Sequence, residues 1–202
     1  MGAGVALIDY GAGNLHSVHN ALKAAGARDV AVTADPDVVR RADRIVLPGV
    51  GAFAACAGGL RGIPGMIEAL EERALHGGVP FLGVCVGMQL MATRGREMGV
   101  HDGLGWIAGE VGPVVPAEGV RVPHMGWNDV TPLTPHPLIA PGEAYFLHGY
   151  AFTGDSVVAT TRHGDTLTAA IGRDNLLGVQ FHPEKSQRYG LELLARFLDW
   201  RP

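Results

Sequence analysis

Cysteine is nearly absent from this chain: 202 residues contain two, Cys56 and Cys85. Two cysteines make no disulfide framework, which excludes a cross-linked secreted scaffold and leads us to expect a reducing compartment. Lysine is equally scarce, with Lys23 and Lys185 set against fourteen arginines. The formal charge of −4 gives no electrostatic basis for a nucleic-acid partner. No apolar run is long enough to span a bilayer, and the opening "MGAGVALIDYGAGN" has neither a basic n-region nor a small-residue cleavage site. Neither a membrane nor a leader is therefore expected. Repeats, linkers and low-complexity tracts are also missing. Charged residues make up 18% and hydrophobic residues 47%, which excludes a disordered chain. The expectation is one cytoplasmic domain over residues 1–202.

The apolar pattern divides the chain in two. Up to about Gly99 strands alternate with helices. Val5–Ile8, Arg44–Leu47 and Pro80–Val84 read as buried strands. Leu15, Val18, Ala21 and Leu22 fall at helical spacing before a Gly26 stop, and a further helix is expected after Cys85. Such alternation implies a parallel sheet covered on both faces. From Trp106 to Gln180 the runs are short and β-prone, including 109–123, and "HGDT" and "GRDN" read as hairpin turns. That half is expected to be mainly antiparallel. "SQRYGLELLARFLDW" closes the chain as a helix with Leu191, Leu194, Phe197 and Leu198 on one face.

The scarce cysteine stands in a telling place. In "PFLGVCVGMQL", Cys85 lies between Gly83 and Gly87 where a strand must turn into a helix. That is the shape of a nucleophile elbow. A helix N-terminus there favours the thiolate, and its free N–H groups, starting with Val86, suit a developing oxyanion. The competing reading is a buried structural cysteine, which fits Cys56 in "GAFAACAGGL" well. A thiol nucleophile needs a base and a group that orients it. "GVQFHPEKS" offers His182 at a strand end and Glu184 beyond the bend at Pro183; a surface histidine and a solvated acid are the alternative. In "RIVLPGVGAF" the flanking glycines permit an unusual turn with free amides at Val50, 35 residues (85 − 50) before Cys85, about one βαβ unit. A phosphate loop there lacks its lysine and Ser/Thr. A metal site is disfavoured, because His182 and Glu184 are too few ligands.

Together "LPGVGAF", "GVCVGMQ" and "GVQFHPEKS" resemble the class I (triad) glutamine amidotransferases. "DYGAGNLHSV", "VPHMGWND" and "YFLHGY" are similar to the glutaminase subunits of imidazole glycerol phosphate synthases within that family. The resemblance implies a flavodoxin-like α/β fold with a mostly parallel central sheet and an antiparallel C-terminal region. It implies that Cys85 attacks the side-chain amide of glutamine, His182 transfers protons and Glu184 orients His182. The amides of Val50 and Val86 would hold the oxyanion. Gly51, Gln89 and Glu97 match glutamine-holding positions, as does the backbone at Gly149 and Tyr150. Gly149 stands where a hydroxyl residue is common. The partner implied is a barrel-shaped cyclase that takes the ammonia, with Pro123, Met125, Trp127 and Lys185 at the interface; no cofactor is implied. Trp127, between Gly126 and Asn128, reads as an interface anchor on an irregular loop. Rival readings are the glutaminase subunit of another amidotransferase, a free-standing γ-glutamyl thiol hydrolase, and a binding module on the same fold.

Overall fold

A computed structural model describes residues 3–116 and 119–202. Met1 and Gly2 of the opening segment, and Ala117 and Glu118 of the expected β-prone run, lie outside the described residues. The N-terminal half alternates as its pattern requires. β1 (Ala3–Ile8) is followed by α1 (Leu15–Ala24), β2 (Val30–Thr33), α2 (Pro36–Arg40) and β3 (Ala42–Leu47). α3 (Phe53–Arg61), α4 (Met66–Leu70) with a π-helical extension over Glu71–His76, and β4 (Phe81–Val84) come next. Helix α3 adds to the expected elements. Its two glycines weaken helix propensity, but Phe53, Cys56, Ala57 and Leu60 are all buried at helical spacing, so packing overrides propensity.

The helix expected after Cys85 is a single turn, α5 (Val86–Gln89), and the chain returns to a strand at β5 (Ala92–Gly95). Every residue from Val86 to Ala92 is buried, so no amphipathic face favours a longer helix. The carbonyls of Leu90 and Met91 accept instead from the N–H groups of Leu104 and Ile107. β6 (His101–Asp102), β7 (Ile107–Pro113), β8 (His124–Pro132) and β9 (Gly142–His148) follow. β10 (Tyr150–Gly154), β11 (Val157–His163), β12 (Asp165–Arg173), β13 (Leu176–Val179) and α6 (Gln187–Asp199) complete the order.

Among the described residues, one sheet has nine strands in the order β2-β1-β3-β4-β13-β12-β11-β8-β9, and a second has four, β10-β7-β5-β6. The strands β2-β1-β3-β4-β13 pair in parallel with the flavodoxin order, and the remaining pairings of the large sheet are antiparallel. The hairpins at "HGDT" and "GRDN" form as β11–β12 and β12–β13. β4 and β13 are buried along their whole length, as strands covered on both faces must be. Their register, with Leu47 opposite Gly83 and Val179 opposite Val84, ends three neighbouring strands at one edge. The Pro48 loop, Cys85 and the 180–184 segment leave the sheet there. Among the described residues no helix is long and apolar enough to cross a membrane.

Helix α6 buries Leu194 and Phe197 of the expected face and packs Leu198 against the core, but its buried stripe is rotated away from Leu191. Gly190, Leu193, Leu194 and Phe197 are buried, whereas Leu191 is 37% exposed. The reason is a backbone contact: a Cβ at Gly190 would overlap the Pro183 carbonyl. The glycine therefore seats α6 against the short 3₁₀ turn Pro183–Lys185. Gly190→Ala should cost about 1–3 kcal/mol through overpacking. Thermal melting should fall by roughly 2–12 °C, the scale for a domain of this size. Unchanged melting would show that the contact relaxes freely.

Candidate active site

Cys85 joins β4 to α5 with φ 54° and ψ −112°, a left-handed conformation unusual for a non-glycine residue. Strain of this kind, about 1–3 kcal/mol, persists where surroundings fix the backbone. Here they do. The Cys85 N–H donates to Val179 O at 2.8 Å. A Cβ at Gly87 would overlap the Leu47 carbonyl, so only glycine lets the turn settle on β3. Cys85 itself is 4% exposed. Because α5 has one turn, the helix dipole is a smaller influence on the thiol than the sequence suggests.

The imidazole of His182 stands beside the thiol, and its Nδ1–H donates to Glu184 Oε1 at 2.9 Å. Both side chains are almost fully buried. Burial alone would lower the basicity of His182. The hydrogen bonds and charges of Cys85 and Glu184 outweigh it and raise the pKa to about 9. β13 ends at Val179, so His182 stands beyond the strand and not at its end, and Pro183 starts the 3₁₀ turn that brings Glu184 back to the ring. Ser186 secures the bend: its Oγ–H donates to His182 O at 2.7 Å, and its oxygen accepts from Tyr145 N–H at 2.9 Å.

A cavity of about 260 Å³ opens above this array. Cys85, His182, Val50, Gly51, Val86, Gln89, Glu97, Gly149 and Tyr150 all line it, and Pro123 forms part of its wall. Glu184, behind His182, does not line the cavity. Gln89 is buried and donates to Tyr150 O at 3.2 Å and to Gln180 Oε1 at 3.0 Å. Glu97 accepts from Phe53 N–H at 2.6 Å, which caps α3 as well as facing the cavity. A Cβ at Gly149 would meet only ordinary contacts at 3.9 Å, so space does not demand glycine there.

The amide of Val86 is not free. It donates to Gly49 O at 3.3 Å. N–H and C=O of a trans peptide point in opposite directions, so the same Gly49–Val50 peptide turns its Val50 N–H away from Val86. Of the free amides expected from the sequence, Val86 N–H is thus taken and Val50 N–H faces away from it in this conformation.

The remaining interface candidates lie outside the cavity. Trp127 sits in β8 and not in a loop; alternation along the strand puts Met125 and Trp127 on its outer face, 63% and 47% exposed. Trp127 meets Tyr145 edge-on at 6.1 Å, and Lys185 Nζ lies over the same tyrosine ring at 5.9 Å.

Sequence reasoning missed Gln180 and His148. Gln180 is fully buried and donates to Cys85 Sγ at 3.7 Å. Its signal was available: a polar residue in an apolar run, two positions before His182, shares its face by strand alternation. His148 lines the cavity, donates from Nδ1 to Tyr150 O at 2.8 Å, and accepts at Nε2 from His124 Nδ1–H at 3.0 Å. Burial lowers the pKa of His148 to about 4 and, with His148 and His163 nearby, that of His124 to about 3.

The chain matches the family model of glutamine amidotransferase class-I over residues 6–200. It is 62% identical to "Imidazole glycerol phosphate synthase subunit HisH" of Zymomonas mobilis subsp. mobilis, across 98% of this chain and 96% of that protein. It is 52% identical to the protein of the same name from Caulobacter vibrioides, across 98% and 99%. Among solved structures, "Structure of PurLQS from Thermotoga maritima" superposes with a TM-score of 0.75 at 15% identity, over 98% of this chain and 99% of that one. "Crystal structure of glutamine amidotransferase" gives 0.72 at 21%, over 94% and 98%. These two structures speak to the fold alone.

The histidines give stability a two-sided pH dependence. His182 binds its proton more tightly folded than unfolded, so its contribution is complete below about pH 6.5 and is lost as pH rises through about 9. His124 and His148 are held neutral, so theirs is complete above about pH 6.5 and is lost as pH falls toward 3–4. Thermal melts across pH should peak near 6.5. Cys85→Ala should flatten the alkaline limb and His124→Asn the acid limb. An alkaline limb unchanged by Cys85→Ala would show that the thiol does not hold the imidazole's proton.

Proposed function

The chain belongs to the class-I glutamine amidotransferase family, and from that premise we propose that it is the glutaminase subunit of an imidazole glycerol phosphate synthase in histidine biosynthesis. It hydrolyses glutamine to glutamate and ammonia and passes the ammonia to a cyclase partner in the cytoplasm. The observation that carries this reading is the buried Cys85–His182–Glu184 array under the cavity, in a chain with near full-length relatives of that name.

The chemistry follows from the arrangement. With the proton held on His182, the sulfur of Cys85 bonds to the amide carbon of glutamine, and the carbonyl π electrons move to oxygen. The raised basicity of His182 lets it keep that proton until the carbon–nitrogen bond breaks. The proton then goes to nitrogen and ammonia leaves. Water attacks the thioester, His182 accepts its proton, and glutamate departs as the thiol is restored. Glu184 fixes the tautomer that presents Nε2 to sulfur. Gln89 spends both amide hydrogens on Tyr150 O and Gln180 Oε1, so its own Oε1 remains as an acceptor for substrate. Rotation of the Gly49–Val50 peptide would release Val86 N–H and bring Val50 N–H inward, which supplies both oxyanion donors. Trp127, Met125 and Lys185 supply the exposed face on which the partner docks.

Cys85→Ala should abolish glutamine hydrolysis, while the complex supplied with free ammonia still forms its product. Ammonia release from glutamine in this variant would overturn the assignment. The chain alone should hydrolyse glutamine slowly, because the closed peptide withholds oxyanion donors, each worth about 10²–10³ in rate. Adding the cyclase with its nucleotide should raise kcat by at least about 10² with a much smaller change in KM, since the oxyanion exists only after attack. Activation seen only as tighter glutamine binding would contradict this mechanism.

A further inference from the structure

Three successive carbonyls of the loop at the end of β3 each have their own donor. Tyr10 Oη–H donates to Pro48 O at 2.6 Å, Val86 N–H to Gly49 O at 3.3 Å, and Cys56 Sγ–H to Val50 O at 3.4 Å. The outer two donors are side chains from different elements. Tyr10 follows β1, and Cys56 lies in the first turn of α3. Both are buried, at 6% and 0% exposure. Burial pushes the Tyr10 phenol far above its ordinary range and Cys56 adds to that; burial also pushes the Cys56 thiol up. Each group therefore keeps its proton and acts as a donor to its carbonyl. The thiol chemistry described above uses neither.

The placement has a mechanical consequence. A carbonyl held by a buried side chain resists rotation of its peptide. Tyr10 holds the Pro48–Gly49 peptide, and Cys56 holds the Val50–Gly51 peptide. Among the described residues, the Gly49–Val50 peptide between them is held only by Val86 N–H, a group of the site itself. One peptide can rotate alone about its two Cα atoms when its neighbours stay fixed. Gly49 suits such a hinge because it has no side chain, and its surroundings allow none: a Cβ would lie 2.6 Å from Gly87 N and 2.8 Å from Tyr10 Oη.

We propose that Tyr10 and Cys56 are positioning residues that clamp the two flanking peptides, so that opening of the oxyanion site is confined to rotation of the single Gly49–Val50 peptide and delivers Val50 N–H to one fixed place. The inference rests on the glutaminase reading and adds to it the groups that steer the switch. Tyr10 and Cys56 touch no substrate; they act through the peptides they hold.

The test compares Tyr10→Phe, which keeps the ring, with Cys56→Ala and with Cys56→Ser, which keeps a donor, each in complex with the cyclase. The expected result is a fall in kcat for glutamine hydrolysis of about tenfold in Tyr10→Phe and Cys56→Ala, the scale of one lost hydrogen bond, with KM within about twofold. Cys56→Ser should recover most of the loss. Alkylation of Cys85 by iodoacetamide forms no oxyanion, and its rate should stay within about twofold in every variant. Unchanged kcat in Tyr10→Phe and Cys56→Ala would overturn the clamp. So would a proportional rise in KM, or alkylation that falls in step with kcat, which would make these residues general supports of the thiol. If Tyr10→Phe does not fold, the Cys56 pair decides alone. A parent complex that releases no glutamate from glutamine would remove the glutaminase reading and the clamp with it; a working parent with unaffected variants removes the clamp alone.

Discussion

The seat of Gly87 on the end of β3 is the contact from which the rest of the site follows. No side chain fits between Gly87 and the Leu47 carbonyl, so the elbow after β4 and the loop after β3 lie backbone against backbone. At that separation Val86 N–H reaches Gly49 O. The same closeness obliges Cys85 to absorb the turn at positive φ. Burial of the whole 86–92 segment and the pairing of Cys85 N–H with Val179 O hold that strained residue in place. The neighbour on the other side, β13, delivers His182 to the same edge through its register with β4.

Buried histidines then diverge according to what surrounds them. His182 has a carboxylate on one side and a thiol on the other, and these partners outweigh the desolvation of its charge. His148 and His124 face each other and further histidines; desolvation outweighs the one opposing contact, the Tyr150 carbonyl at His148, and both stay neutral. Their hydrogen bonds fix a single tautomer along the line. Asn128 Nδ2 donates to His124 Nε2, His124 donates to His148, and His148 donates to Tyr150 O. Tyr150 O also receives Gln89, and Gln89 reaches Cys85 through Gln180. The polar groups of the cavity floor are thereby oriented before any ligand enters, which is the condition for preorganised electrostatics.

Pro123, the residue immediately before β8, walls the cavity. Val50, the residue whose amide is turned away, is 42% exposed at that same cavity. On the proposed reading, a partner seated on Met125 and Trp127 therefore lies near the one peptide whose rotation matters, and coupling needs no long path through the core.

Much of this was legible along the chain. The alternation of strands and helices, the hairpin signals, the glycine-flanked Cys85 and the His182-Pro183-Glu184 bend are local patterns, and local backbone chemistry determined them. The glycine turn singled out Val50, and the family resemblance pointed to Gln89 and Glu97; all three share one cavity. Tertiary structure decided the rest, because each remaining feature depends on what a residue meets across space. The helix after Cys85 stops at one turn because distant N–H groups claim the carbonyls of Leu90 and Met91 just beyond it. Helix α6 buries Leu193 and exposes Leu191 because Gly190 must face Pro183. Trp127 lies in a strand because His124–Val130 pairs with Gly142–His148. The state of the oxyanion amides was beyond the sequence for the same reason: a glycine states that a peptide is able to turn, and only the donors that meet its carbonyls from other elements decide which way it points.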